Sequence, residues 1–213
     1  MVKAVIFDLD GTLLYTLEDL TDSTNYALSA FDYPPKTIEE VKSFVGNGVS
    51  LLIERAIPNG KSNPNFNECL ELFKTHYSQN MYNKTMPFDG IIKTLTTLKN
   101  DGYMLGVVSN KFDSAVKELC NRYFNGLIDI AIGQREGINK KPSPDSVLEV
   151  MKELDVTPDE SVYIGDSEVD ILTAQNCNIP CISVTWGYKS IDFLYDNGAG
   201  VLVYSPEELL ELL

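Results

Sequence analysis

Near its start the chain reads "VIFDLDGT", an apolar run ending in two aspartates two residues apart, Asp8 and Asp10. Residues i and i+2 of an extended strand project to the same side, so the spacing predicts two carboxylates side by side. Like charges so placed repel and raise the pKa of one of them. That is costly unless a cation or a reaction requires it. Three other stretches carry polar side chains directly after an apolar run. Ser109 and Asn110 follow "YMLGVV"; Lys140 and Lys141 lie in the loop after "LIDIAIG"; Asp166 and Ser167 follow "SVYIG", with Asp170 one helical turn later. Asp8, Asp10, Asp166 and Asp170 together make an oxygen-rich set. Such a set suits Mg²⁺, a hard cation that keeps some of its waters and ligates substrate phosphate.

These residue types fit phosphoryl transfer through a covalent aspartyl phosphate. Asp8 would attack phosphorus in line. Asp10 would protonate the leaving oxygen and then deprotonate a water that hydrolyses the intermediate. Asp166 would hold the metal, with Asp170 supporting it directly or through water, and Mg²⁺ would let two anions approach each other. Lys141 and the Ser109 hydroxyl would bind the transferring group, aided by Thr12, Asn110 and backbone amides near Leu9. Each residue alone has a plainer reading: Asp166 as a helix N-cap, Ser109-Asn110 as a turn, Lys141 as a solvated lysine. Their weight comes from arriving together.

What brings them together is the alternation of elements. "KAVIFD" reads as a short buried strand. Residues 16–31 read as an amphipathic helix, "TIEEVKSF" as a helix opened by a Thr37/Glu40 capping box, "VGNGV" as a glycine turn, "SLLIERAI" as a helix, and residues 66–82 as another. From residue 84 onward helices and strands alternate to the end of the sequence. That pattern predicts an α/β fold, a Rossmann-like parallel sheet joined by right-handed crossovers. The first strand must join that sheet. The helical block is then an all-helical cap inserted after the first strand, giving a core of residues 1–14 and 84–213 and a cap of 15–83. Open α/β sheets bind ligands at the carboxyl ends of their strands, where the four polar stretches fall.

Net charge is −14, which argues against nucleic acid or an anionic membrane as partner. No apolar run approaches a membrane span and the N-terminus lacks the zones of a signal peptide, so a cytoplasmic protein is expected, as a monomer or homodimer acting on a small phosphorylated metabolite. Cys69, Cys120, Cys177 and Cys181 form no CxxC pair and read as buried free thiols. His76, the only histidine, reads as structural, and Trp186 as core packing or a wall of the cleft.

"DLDGT", "VVSN", "KKPSP" and "GDSEVD" resemble, in order, the four motifs of the haloacid dehalogenase-like hydrolases. The resemblance implies Asp8 as nucleophile, Asp10 as acid/base, and Mg²⁺ bound by the Asp8 side chain, the Asp10 main-chain carbonyl and Asp166. It also implies a helical cap after the first motif. "FVGNGVSLLIERA" and "GDSEVDILTAQN" are most similar to the phosphoglycolate phosphatases within that family. In them the loop at Gly46, Asn47 and Gly48 would line the substrate entrance; Arg55 would either meet a substrate carboxylate or lie on a helix surface. Many relatives carry Asp-Ser shortly after the first motif, where this chain has Tyr15-Thr16. The expected activity is Mg²⁺-dependent hydrolysis of a small phosphomonoester, 2-phosphoglycolate first. A sugar-phosphate mutase or inorganic pyrophosphatase would share the motifs. A non-enzymatic phospho-aspartate receiver would share the Asp, hydroxyl and Lys but not the cap or the second acid. Cap closure over substrate is expected, with hinges near residues 14–16 and 82–88.

Overall fold

The computed structural model describes residues 1–213. The chain divides into two compact units, Met1–Tyr15 with Pro87–Leu213, and Thr16–Met86. No helix is long and apolar enough to cross a membrane.

The first unit holds a six-stranded, wholly parallel sheet. Its strands are β1 (Ala4–Phe7), β4 (Met104–Phe112), β5 (Ile130–Gln134), β6 (Ser161–Gly165), β7 (Cys181–Val184) and β8 (Val201–Val203), in the order β5-β4-β1-β6-β7-β8. β2 (Leu14–Tyr15) and β3 (Met86–Pro87) form a separate two-stranded sheet, a pairing too short to be visible in hydrophobic pattern. The connecting helices are α5 (Ile91–Asn100), α6 (Asp113–Phe124), α7 (Asp145–Glu153), α8 (Glu168–Cys177), α9 (Ile191–Asp196) and α10 (Leu209–Leu212). β1 is four apolar residues, none more than 1% exposed. A strand covered on both faces reads as a continuous apolar run, not an alternation. Ile6, Val108, Ile132, Val147, Val150 and Tyr163 form the core around it. The chain leaves β1 toward β4 on one side and later returns to β6 on the other. This places the reversal of strand order beside β1, where the carboxyl edge opens a crevice.

The second unit is helical: α1 (Leu17–Ser29), α2 (Ile38–Phe44), α3 (Val49–Ala56) and α4 (Phe66–Asn80). Leu17, Leu20, Thr24, Ala27 and Leu28 on α1, and Phe66, Cys69, Phe73 and Tyr77 on α4, are the buried stripes at helical spacing. Phe73 and Tyr77 stack with ring centroids 5.6 Å apart. α2 carries the Thr37/Glu40 capping box that its sequence predicts. His76 is structural here: its Nδ1 lies 3.0 Å from Ser23 Oγ and its ring stacks on Tyr26 at 4.1 Å. Of the four free thiols Cys69, Cys120 and Cys177 are buried and Cys181 is half-buried.

Two local readings change. Ser109 and Asn110 are not a turn; β4 runs on to Phe112, and its register with β5 shifts between Val108 and Phe112. Such an irregularity re-aims side chains at a sheet edge. The N-cap of α8 is Ser167, not Asp166, and Asp170 closes its capping box.

Within the helical unit Asp19, 1% exposed, accepts from the backbone N–H of Lys84 at 3.0 Å and of Thr85 at 2.8 Å. It ties the first turn of α1 to the returning strand of chain. Asp19→Ala leaves both donors without that acceptor and should lower stability by about 2–3 kcal/mol, read as a lower urea midpoint; an unchanged midpoint would show that water replaces the carboxylate.

Candidate active site

Four segments meet at the carboxyl edge of the sheet. The first is the turn after β1. The backbone N–H of Asp8 still bonds Ile164 O of β6 at 2.8 Å, after which the chain folds tightly, with the N–H groups of Leu13 and Leu14 bonded to Leu9 O. Gly11 has φ +88°, and a Cβ on it would fall 2.4 Å from Asp166 Oδ2. Only glycine permits both the left-handed backbone and that approach. Gly165, before Asp166, is required differently: a Cβ there would lie 2.3 Å from Asp170 Cβ.

Lys141 is the hub. It is 4% exposed, against the solvated lysine its position alone would suggest. Its Nζ donates to Asp170 Oδ1 at 2.7 Å and Tyr163 Oη at 2.8 Å and lies 2.9 Å from Asp8 Oδ1 as an ion pair, an oxygen left without a hydrogen bond. Burial alone would push its pKa down, but Asp170 and Asp8 outweigh that and hold it up. Its main chain is gripped as well. Asn110 Nδ2 donates to Lys141 O at 3.1 Å and Asn110 Oδ1 accepts from Lys141 N at 2.8 Å. The Asn110 side chain thus positions Lys141.

Asp8, Asp166 and Asp170 are all buried, with one carboxylate oxygen of each within 4.8 Å of the others. Burial pushes Asp8 up to about 7, Lys141 opposing and Asp170 and Asp10 adding to the rise. Burial, then the charges of Asp170 and Asp8, raise Asp166 well above the carboxylate range. Asp166 Oδ2 accepts from Tyr188 N at 2.7 Å and its Oδ1 from the Thr12 hydroxyl at 3.4 Å. Thr12 is fully buried and its hydroxyl faces this acid. Asp170 is saturated: besides Lys141 and Tyr163, its Oδ2 accepts from Ser167 Oγ at 2.6 Å and Ser167 N at 3.1 Å.

Asp10 does not share the environment of Asp8. β1 ends at Phe7, so strand alternation does not govern the acids beyond it. Asp10 stands outside the three-acid group, and its Oδ2 lies 3.1 Å from Lys111 Nζ. Ser109, 6% exposed, accepts from Lys111 N at 3.3 Å. Trp186, at the end of β7 and half-buried, donates from Nε1 to Thr12 O at 3.0 Å, so it braces the turn after β1. The helical-unit candidates lie apart in sequence. Gly46 and Asn47 form the half-buried turn before α3. Arg55 is exposed and donates from Nη1 to Phe44 O at 2.9 Å, tying α3 to the end of α2.

Residues 5–184 match the family model described as haloacid dehalogenase-like hydrolase. The chain belongs to this family. It is 32% identical to phosphoglycolate phosphatase 1 of Pseudomonas aeruginosa, over 88% of this chain and 71% of that one. It is 30% identical to the phosphoglycolate phosphatase of Vibrio parahaemolyticus, over 100% and 96%. A crystal structure from Lactobacillus delbrueckii subsp. bulgaricus, provisionally designated a phosphoglycolate phosphatase, superimposes with a TM-score of 0.94 at 40% identity, covering 99% of this chain and 97% of that one.

The three-acid group offers donor chemistry that fits a hard divalent cation. Every donor in the three-acid group is a carboxylate oxygen. Fully ionised, three carboxylates against one ammonium would leave two negative charges uncompensated in a buried site; without a cation the raised Asp8 and Asp166 carboxyls relieve this by holding protons, and Mg²⁺ would offset it instead. Three contributors were not singled out from sequence. Lys111 follows "VVSN" directly, a basic residue at a strand end. Tyr163 is the one hydroxyl-bearing ring in "SVYIG". Tyr188 acts through its backbone N–H, which no residue pattern discloses.

Without a cation the folded protein holds a proton at Asp8 that the unfolded chain releases above about pH 4. Between there and about pH 7, rising pH therefore favours the unfolded state. In metal-free buffer the wild type should lose stability relative to Asp8→Asn by up to a few kcal/mol across that window. Denaturant midpoints measured in parallel would check this; a pH-independent difference would contradict it.

Proposed function

We propose that this hydrolase removes phosphate from small phosphomonoesters, with 2-phosphoglycolate as the preferred substrate, through a phosphorylated Asp8 and with Mg²⁺ as cofactor. The observation that carries the reading is the placement of Asp8: a buried carboxylate at the end of the central strand, 2.9 Å from the ammonium of Lys141 and grouped with Asp166 and Asp170. The names of the relatives supply the substrate.

In this reading Asp8 forms the bond to phosphorus as the ester P–O bond breaks, and Asp10 gives its proton to the departing oxygen. Asp10 then takes a proton from water as that water displaces Asp8 and releases phosphate. Lys141, the Ser109 hydroxyl and the Asn110 backbone amide face the charge that develops on the phosphoryl oxygens. Lys141 reaches that group by exchanging one of its three present acceptors. Asp8, the Asp10 carbonyl and Asp166 would hold Mg²⁺, which would offset the same charge. We assign Asp170 to holding Lys141, since both its oxygens already accept from protein donors; it would reach the metal only through water. Thr12 orients Asp166. Arg55 keeps an exposed guanidinium close in sequence to Gly46 and Asn47, and we assign these three to the substrate carboxylate and the entrance.

The test is phosphate release from 2-phosphoglycolate beside a panel of phosphorylated metabolites, with Mg²⁺ or a chelator. Release should require Mg²⁺ and be fastest for 2-phosphoglycolate. Asp8→Asn should lower kcat by roughly 10⁴-fold or more while the protein stays folded. Asp10→Asn should accumulate phosphoenzyme. A fully active Asp8→Asn would remove the nucleophile from this reading, and a product carrying phosphate on a second oxygen would make the enzyme a mutase.

A further inference from the structure

Lys111 has no part in the chemistry above, yet it is placed at some cost. It sits near the end of β4, in the segment where the register with β5 shifts, and its side chain is 2% exposed. Burying an ammonium is unfavourable unless a partner compensates it. A well-packed apolar side chain at such a site is often as stable or more so. The partner is a reacting group: Asp10 Oδ2 lies 3.1 Å from Lys111 Nζ. The two acids of "DLD" are thus divided between two buried lysines, Asp8 with Lys141 at 2.9 Å and Asp10 with Lys111. Lys141 is drawn into the three-acid group; Asp10 stands outside it.

We propose that Lys111 is a positioning residue for Asp10. It anchors one oxygen of the Asp10 carboxylate and keeps that side chain out of the oxygen cluster that would otherwise recruit it for the cation. So held, the carboxylate serves the exchanging proton, given to the leaving oxygen in the first step and taken from water in the second. This rests on the acid–base role assigned to Asp10 above. Without Lys111, Asp10 swings among alternative partners, and both proton transfers slow. The water-driven step slows more, because a small nucleophile has no other anchor to orient it.

The experiment compares Lys111→Met and Lys111→Arg in the full-length chain with Mg²⁺, on 2-phosphoglycolate and on p-nitrophenyl phosphate, whose leaving group needs no proton. Lys111→Met should lower kcat about 100-fold on 2-phosphoglycolate with KM little changed. It should raise the fraction of enzyme trapped as phosphoenzyme in acid-quenched samples and tighten Mg²⁺ binding, as the released Asp10 carboxylate joins the oxygen cluster. Burst formation of phosphoenzyme from p-nitrophenyl phosphate should stay close to wild type. Lys111→Arg should recover most of kcat. In an Asp10→Asn background Lys111→Met should cost nothing further, since the residue acts through that carboxylate. Wild-type turnover in Lys111→Met would overturn the proposal. So would a full additional loss in the Asp10→Asn background, or a fall in melting temperature that accounts for the lost activity in both lysine variants. If the wild type itself releases no phosphate from any ester, the functional reading fails and this proposal with it. Phosphate release by wild type with any of the preceding results removes this proposal alone.

Discussion

The ammonium of Lys141 among three buried carboxylates is the interaction on which the site depends. In a dry interior such charges attract strongly but also lose their hydration. Further hydrogen bonds to Lys141, Asp166 and Asp170 support the ion pairs. Lys141 donates to Asp170 and Tyr163 and forms an ion pair with Asp8 at 2.9 Å. Asp170 is backed by the first turn of α8 through Ser167. Asp166 is backed by Tyr188 N and Thr12. Asp8 receives the least support, and its carboxyl is accordingly pushed up to about 7 by burial. A nucleophile benefits from having few fixed partners, because each hydrogen bond stabilises the resting carboxylate against reaction.

The fold serves this cluster by bringing strand ends together. β1 lies between β4 and β6 and all three are parallel, so Asp8 and Asp166, just past β1 and β6, and Ser109, on the last stretch of β4, fall at one edge. Lys141 comes from farther along, in the loop after β5, and Asn110 clamps its backbone N–H and carbonyl to the end of β4. Gly11 and Gly165 let the turn after β1 and the start of α8 close to within contact of the acids. Divergence within "DLD" follows from β1 ending at Phe7: one acid continues the ladder direction through its N–H to Ile164, and the other enters the turn.

The parallel α/β sheet, the helical segment after β1 and the grouping of Asp8, Lys141, Asp166 and Asp170 were legible in the sequence. Apolar runs ending in acids, and a regular alternation of elements, are local signals that topology converts into proximity. The plainer alternative for Ser109-Asn110, a turn, does not hold, because two polar residues after an apolar run look the same whether the strand stops or continues with a shift in register. Asp166 could have been an N-cap; which of two adjacent residues caps a helix depends on backbone angles that composition does not record. Lys111 escaped notice because a lysine is ordinarily solvated, and only the three-dimensional path of β4 buries it. The sequence offered Asn110 and Thr12 as phosphate ligands; that their side chains also brace Lys141 and Asp166 is a role residue type cannot disclose.

The coupling of cation and protons in this acid cluster is best tested by titrating Mg²⁺ into the metal-free protein near pH 6.5 by calorimetry in two buffers of different ionisation enthalpy. Saturable binding at one site, with protons released as the raised carboxyls ionise, is expected. Its loss in Asp166→Asn should follow. Binding without proton release, or no saturable binding in the folded protein, would contradict the charge imbalance assigned to Lys141 and its three acids.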